Sequence, residues 1–80
     1  MDNTETTLRA LIAKIGEIDA NFSADADLRD ELGFDSYLGV EYSFEIERVF
    51  KIRIPLERVE ELKTLNRAVG LVTSLLSSAK

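Results

Sequence analysis

Neither cysteine nor histidine occurs anywhere in these 80 residues. Without cysteine no disulfide staples the chain, and no thiolate serves as nucleophile or metal ligand. Without histidine as well, Ser-His-Asp and Cys-His nucleophile systems are excluded, together with zinc sites built on imidazole or thiolate. Proline occurs once and glycine four times, so backbone breakers are sparse. Many Leu, Ile, Glu and Arg residues fill the remainder, which points to an all-helical domain. No apolar run approaches the ~20 residues that span a bilayer. The opening Met1-Asp2-Asn3-Thr4-Glu5 is acidic and lacks the basic and apolar regions of a signal peptide. A soluble, cytoplasmic protein is expected.

What is present is a single small domain, residues 1–80, that must stabilise itself through its apolar core. With 45% hydrophobic residues that is feasible. Such a chain offers little room for a concave substrate site, which argues against an enzyme acting alone. The net charge of −5 is unevenly spread. Residues 1–47 carry −9 and residues 48–80 carry +4. The acidic half repels nucleic acid and favours basic partner surfaces, while the basic half is too diffuse for a phosphate-backbone stripe.

Apolar periodicity predicts the helices. Leu8, Leu11, Ile12 and Ile15 form a helical stripe over residues 4–15, with Thr4 or Thr7 as cap and Gly16 as stop. Residues 17–26 read as a loop pinned by Ile18 and Phe22, and residues 27–32 as a short helical turn. Ser36–Phe50 is the strongest helix, with Val40, Ser43, Ile46, Val49 and Phe50 on one face and Glu41, Glu45 and Arg48 on another. Gly39 in its first turn suggests close packing there or room for a nearby group. An extended piece, residues 52–54, leads through Pro55 to a short third helix over 56–62. Thr64 caps a last helix whose apolar face is Leu65, Ala68, Val69, Val72, Leu75 and Leu76, with residues 77–80 fraying. Phe22, Leu28, Ile46, Phe50, Ile54, Val59 and Leu62 are further expected core residues.

One hexapeptide stands apart: Leu32-Gly33-Phe34-Asp35-Ser36-Tyr37. Ser36 falls where a helix begins, and unpaired N–H groups and the helix dipole favour an anion at that end. On these residues alone, Ser36 is a helix cap, a modification site or both, and Asp35 would serve as the cap too.

From residue 27 onward the chain resembles the acyl carrier protein family and its peptidyl and aminoacyl carrier relatives. The resemblance rests on Asp27-Leu28, Leu32-Gly33-Phe34-Asp35-Ser36, Val40-Glu41, Phe50, Ile54-Pro55 and Thr64, all in register without a gap. It covers residues 27–76 firmly and the first helix loosely. It implies an all-α four-helix bundle of acyl-carrier-protein type, with three longer helices, a short third one and a long first loop. It also implies that Ser36 receives 4′-phosphopantetheine from coenzyme A through a phosphopantetheinyl transferase. The arm then carries an acyl or aminoacyl group as a thioester between partner enzymes in fatty-acid, lipid or specialised-metabolite biosynthesis, and the carrier is itself non-catalytic. Asp35 helps present the serine to the transferase. Glu41, Glu45 and Glu47 lie on the helix that partners grip through basic side chains, and Tyr37 and Phe44 are candidates for apolar partner contacts. A loading ligase, synthase or acyltransferase is the implied partner, and a monomer is expected.

Tyr37 replaces the family's usual leucine, and Phe34 stands where something smaller is common. Arg48, Lys51, Arg53 and Arg58 make the later recognition surface more basic, which favours a specialised carrier. Phe34 and Phe50, if both enter the space between the second and third helices, would narrow it against long straight acyl chains. Two other classes of function compete. One is an unmodified helical module that docks on basic partners through its acidic half. The other is a calcium regulator built on Asp25, Asp27, Asp30 and Glu31, whose spacing lacks the EF-hand pattern. No metal is therefore assigned.

Overall fold

The structure is a computed structural model that describes residues 3–78. Its elements run α1 (Asn3–Gly16), α2 (Ser36–Phe50), a 3-10 helix (Leu56–Lys63) and α3 (Leu65–Ser78). No strand occurs among the described residues. Helix α1 packs on both α2 and α3, and α3 on the 3-10 helix. No comparable backbone packing joins α2 to the 3-10 helix, and a groove lies between them.

Helix α1 buries Leu8 and Ile12 and half-buries Leu11 and Ile15, so the sequence stripe is the packed face. It already includes Asn3, which places Thr4 and Thr7 inside the helix rather than ahead of it. Its end is not made by a glycine. Glu17 takes the left-handed conformation (φ 55°), and the Ile18 and Glu17 N–H groups donate back to the Ala13 and Lys14 carbonyls at 3.0 and 3.4 Å. This is the double closure that satisfies the last carbonyls of a helix. Lys51 closes α2 in the same conformation, donating its N–H to the Glu47 carbonyl.

The long first loop is tied down by the side chains nearest to it. Arg9 donates to the Ala20 and Phe22 carbonyls at 2.7 and 2.6 Å, and its guanidinium lies 4.7 Å from the centre of the Phe22 ring. Ile18 and Phe22 pack on the core as expected. Asp27 opens the turn at 27–32, accepting from the Arg29 and Asp30 N–H groups at 2.9 Å each. Backbone bonds from the Leu28 N–H to the Lys63 carbonyl and from the Asn66 N–H to the Ala24 carbonyl anchor the loop to the far side of the bundle.

Three sequence expectations shift. In α2 the buried line is Tyr42 and Ile46, with Leu38 half-buried above them, whereas Val40 and Val49 are exposed. In α3 Leu71 is buried with Leu65, Ala68 and Val72, whereas Leu76 is exposed, and the helix continues through Ser77 to Ser78 instead of fraying there. Residues 79–80 lie outside the described residues. The short third helix, present as expected, is 3-10, and three residues per turn eclipse positions i and i+3. Leu56, Val59 and Leu62 therefore form one row, and Arg58 pairs with Glu61 at 2.9 and 3.1 Å in the next. Val59 follows its row onto the groove wall, so it is exposed there instead of buried in the core. Thr64 does cap α3, its hydroxyl accepting from the Arg67 N–H at 3.1 Å.

Candidate functional site

The chain enters α2 through Gly33, whose φ of +79° belongs to a region that L side chains rarely adopt. This turn sends Phe34 inward, where its N–H donates to the Leu28 carbonyl and its ring is buried. Asp35 then caps the helix, its Oδ1 accepting the Leu38 N–H at 2.9 Å and its carbonyl accepting the Gly39 N–H at 2.9 Å. The cap is thus Asp35, and Ser36 is the first helical residue. Ser36 is exposed, and its hydroxyl makes no hydrogen bond among the described residues. The N–H groups of Ser36 and Tyr37 have no protein acceptor there either. A phosphodiester on Ser36 would meet those two donors and the positive end of the α2 dipole. The residues present fit an attached phosphate group.

Ser36 opens on the groove between α2 and the 3-10 helix, a space of about 690 Å³. Val40, Phe44, Leu56 and Val59 form its apolar rim, and Phe34, Tyr42 and Leu62 its deeper wall. Phe34 lines this space. Phe50 does not: it is half-buried against the core and takes no part in the wall. Gly39, also on the wall, faces open space, so it answers no close packing.

The other residues singled out in the sequence divide by role. Tyr37 (75% exposed) and Phe44 (64%) stand out from α2, with Glu41 exposed between them. Glu45 is paired with Arg48 at 2.6 Å, and that hydrogen bond holds its carboxyl below the usual carboxylate range. Glu47 is turned inward, accepting the Ile54 N–H at 2.8 Å and fixing the loop after α2. Three of the four carboxylates of the proposed calcium loop are engaged within the protein, and Asp30 is exposed. Asp27 and Glu31 accept backbone N–H groups, and Asp25 accepts from the Asn66 amide at 2.7 Å.

Tyr42 went unnoticed in the sequence. Among the described residues it is the largest fully buried side chain, packed edge-on against Phe34 with ring centres 6.0 Å apart, and its hydroxyl finds no hydrogen-bond partner among them. The Leu38-Tyr42-Ile46 spacing carried the signal, since residues four apart share a helix face. Burial pushes the phenol well above its ordinary value of about 10. The unfolded chain gives up that proton near pH 10 and the folded chain keeps it. The associated stability is complete below pH 10 and is lost as the pH rises beyond it. Above that point Tyr42 should lower the unfolding free energy by up to about 1.4 kcal/mol per pH unit. Urea unfolding at several alkaline pH values should show this slope in the wild type and not in Tyr42→Phe.

Comparison with known proteins bears on the same segment. A family model described as "Phosphopantetheine attachment site" matches residues 6–72. An acyl carrier protein of Amoebophilus asiaticus is 37% identical over 59 residues, covering 74% of each chain. The match takes in most of α1, Asp35-Ser36 and the groove, and the prosthetic group of such a domain is 4′-phosphopantetheine. The chain belongs to the acyl carrier protein family.

Proposed function

We propose that Ser36 is the attachment point of the 4′-phosphopantetheine arm, and that this chain is a non-catalytic carrier of an acyl or aminoacyl group. When attached, the arm supplies a terminal thiol that holds the group as a thioester, in a protein with no thiol of its own. The observation that carries the reading is the exposed, unbonded Ser36 hydroxyl at the first position of α2, beside a cap that does not need it. In the transfer, Ser36 Oγ would bond to the pantetheine-bearing phosphorus of coenzyme A as the diphosphate P–O bond breaks and adenosine 3′,5′-bisphosphate leaves, the hydroxyl proton passing to a base of the transferase. Asp35 is a positioning residue, since its cap fixes the first turn and with it the direction of Ser36. Tyr37, Phe44 and Glu41 form the docking face for the transferase and for a loading ligase, synthase or acyltransferase. Glu45 and Glu47 support that face indirectly, one through Arg48 and the other through the loop at Ile54. A monomer acting in the cytoplasm, in fatty-acid, lipid or specialised-metabolite assembly, fits these features.

Incubation with coenzyme A and a broad-specificity phosphopantetheinyl transferase should add the mass of one phosphopantetheine to the wild type and nothing to Ser36→Ala. The absence of any gain with several transferases would overturn the assignment. An unmodified module docking on basic partners through the acidic half would then be the better account.

A further inference from the structure

Among the polar side chains that line the groove, most are committed elsewhere. The Ser43 hydroxyl donates to the Val40 carbonyl at 2.9 Å, Asp27 accepts two loop N–H groups, and Glu47 accepts the Ile54 N–H. Arg29, Asp30, Glu60 and Lys63 are exposed at the edge, where water serves them. Tyr42 differs from all of these. It is 1% exposed, it belongs to the groove wall, and its hydroxyl is unpartnered. An orphaned buried hydroxyl is costly, and a core position asking only for bulk would be filled as well by phenylalanine. Ser36 and Tyr42 line the same groove, so a group carried on the arm shares its space with this side chain.

We propose that the Tyr42 hydroxyl selects the cargo, favouring an acyl chain that carries a carbonyl or hydroxyl oxygen over a saturated chain of the same length. This rests on the attachment at Ser36. A saturated chain beside Tyr42 and Phe34 leaves the phenol as it stands, without an acceptor in a dry wall. A chain with an oxygen supplies that acceptor and converts the penalty into a hydrogen bond. Sites built to bond a polar group reject the analogue that lacks it far more strongly than apolar pockets reject an extra methylene. Preference for the oxygenated chain of about tenfold or more in groove occupancy is expected.

The test loads the full chain with phosphopantetheine arms bearing octanoyl or its mono-keto isomers, joined through a hydrolysis-resistant amide. Intact mass confirms loading on Ser36. Thermal midpoints and the NMR signals of labelled Tyr42 report occupancy. In the wild type at least one keto isomer should raise the midpoint above octanoyl and slow exchange of the Tyr42 hydroxyl proton. In Tyr42→Phe, which keeps the ring that packs on Phe34, keto and saturated chains should be equivalent. Equal behaviour of the two chains in the wild type overturns the proposal, as does a keto preference that survives in Tyr42→Phe. A failure to load overturns the Ser36 assignment and this inference with it, whereas loading without a keto preference overturns this inference alone.

Discussion

Replacing Ile46 with alanine should lower the unfolding free energy by about 2–5 kcal/mol, whereas Val40→Ala should stay within about 0.5 kcal/mol of the wild type. Both are β-branched residues of α2, six positions apart, and both belong to the apolar face read from the sequence. Ile46 is fully buried and Val40 is 52% exposed. Alanine at 46 removes buried methyl and methylene groups and leaves a cavity beneath Tyr42, at the contact between α2 and α1. At 40 it removes atoms that already face the groove mouth and water. A domain of this size holds on the order of 4–12 kcal/mol in total, so the Ile46 change alone should bring the midpoint close to ambient conditions. Urea denaturation followed by helical circular dichroism measures it. The slope with denaturant should stay constant while the midpoint falls. Equal losses at 40 and 46 would mean that α2 is rotated from the orientation described.

Gly16→Ala should destabilise the protein by about 1–3 kcal/mol, against the gain of up to about 1 kcal/mol that alanine usually brings to a helix. A Cβ at this position would lie 2.7 Å from Cε1 of Phe34 and 3.3 Å from its Cζ. The Phe34 ring cannot simply swing away, because it is buried and set edge-on against Tyr42 at an interplanar angle of 79°. Any adjustment therefore passes to Tyr42 and to the groove wall that both rings form. Thermal unfolding gives the stability loss, and ring proton shifts of Phe34 and Tyr42 show where the strain goes. Phe34→Leu removes the colliding edge. Gly16→Ala should therefore cost much less in the Phe34→Leu background, a coupling of about 0.5–3 kcal/mol in a double-mutant cycle. Additive losses would show that the two residues do not meet.

The Gly16 case shows what was legible in the sequence and what was not. Its place at the end of the α1 stripe correctly marks the helix terminus. The reason for glycine there is nonetheless the ring of a residue eighteen positions away, since Glu17 supplies the left-handed closure. Local rules read the boundary and are silent about the neighbour. The site divides in the same way. A capped helix start at Asp35-Ser36 follows from residue types alone, because short polar side chains satisfy the orphan N–H groups wherever a helix begins. Which of the two is the cap depends on side-chain geometry. Asp35 takes the Leu38 N–H and thereby leaves the Ser36 hydroxyl unbonded.

Helix α2 marks the boundary most clearly. It carries apolar side chains around much of its circumference, so two stripes satisfy the helical period at once: Leu38-Tyr42-Ile46 and Tyr37-Val40-Phe44. Periodicity establishes that this segment is a helix with a face to bury, and it cannot say which stripe is buried. Packing against α1 chooses the first, and the second is left at the surface beside Ser36. The all-helical class, the four segments, the absence of thiol and imidazole chemistry and the singular serine are contained in the order of residues. These depend on composition and on neighbours close along the chain. The groove, its unpartnered phenol and the exposed aromatic face arise only when distant segments close on one another. The physical reason is that burial and hydrogen-bond satisfaction are properties of the assembled surface, set by neighbours that no local pattern names.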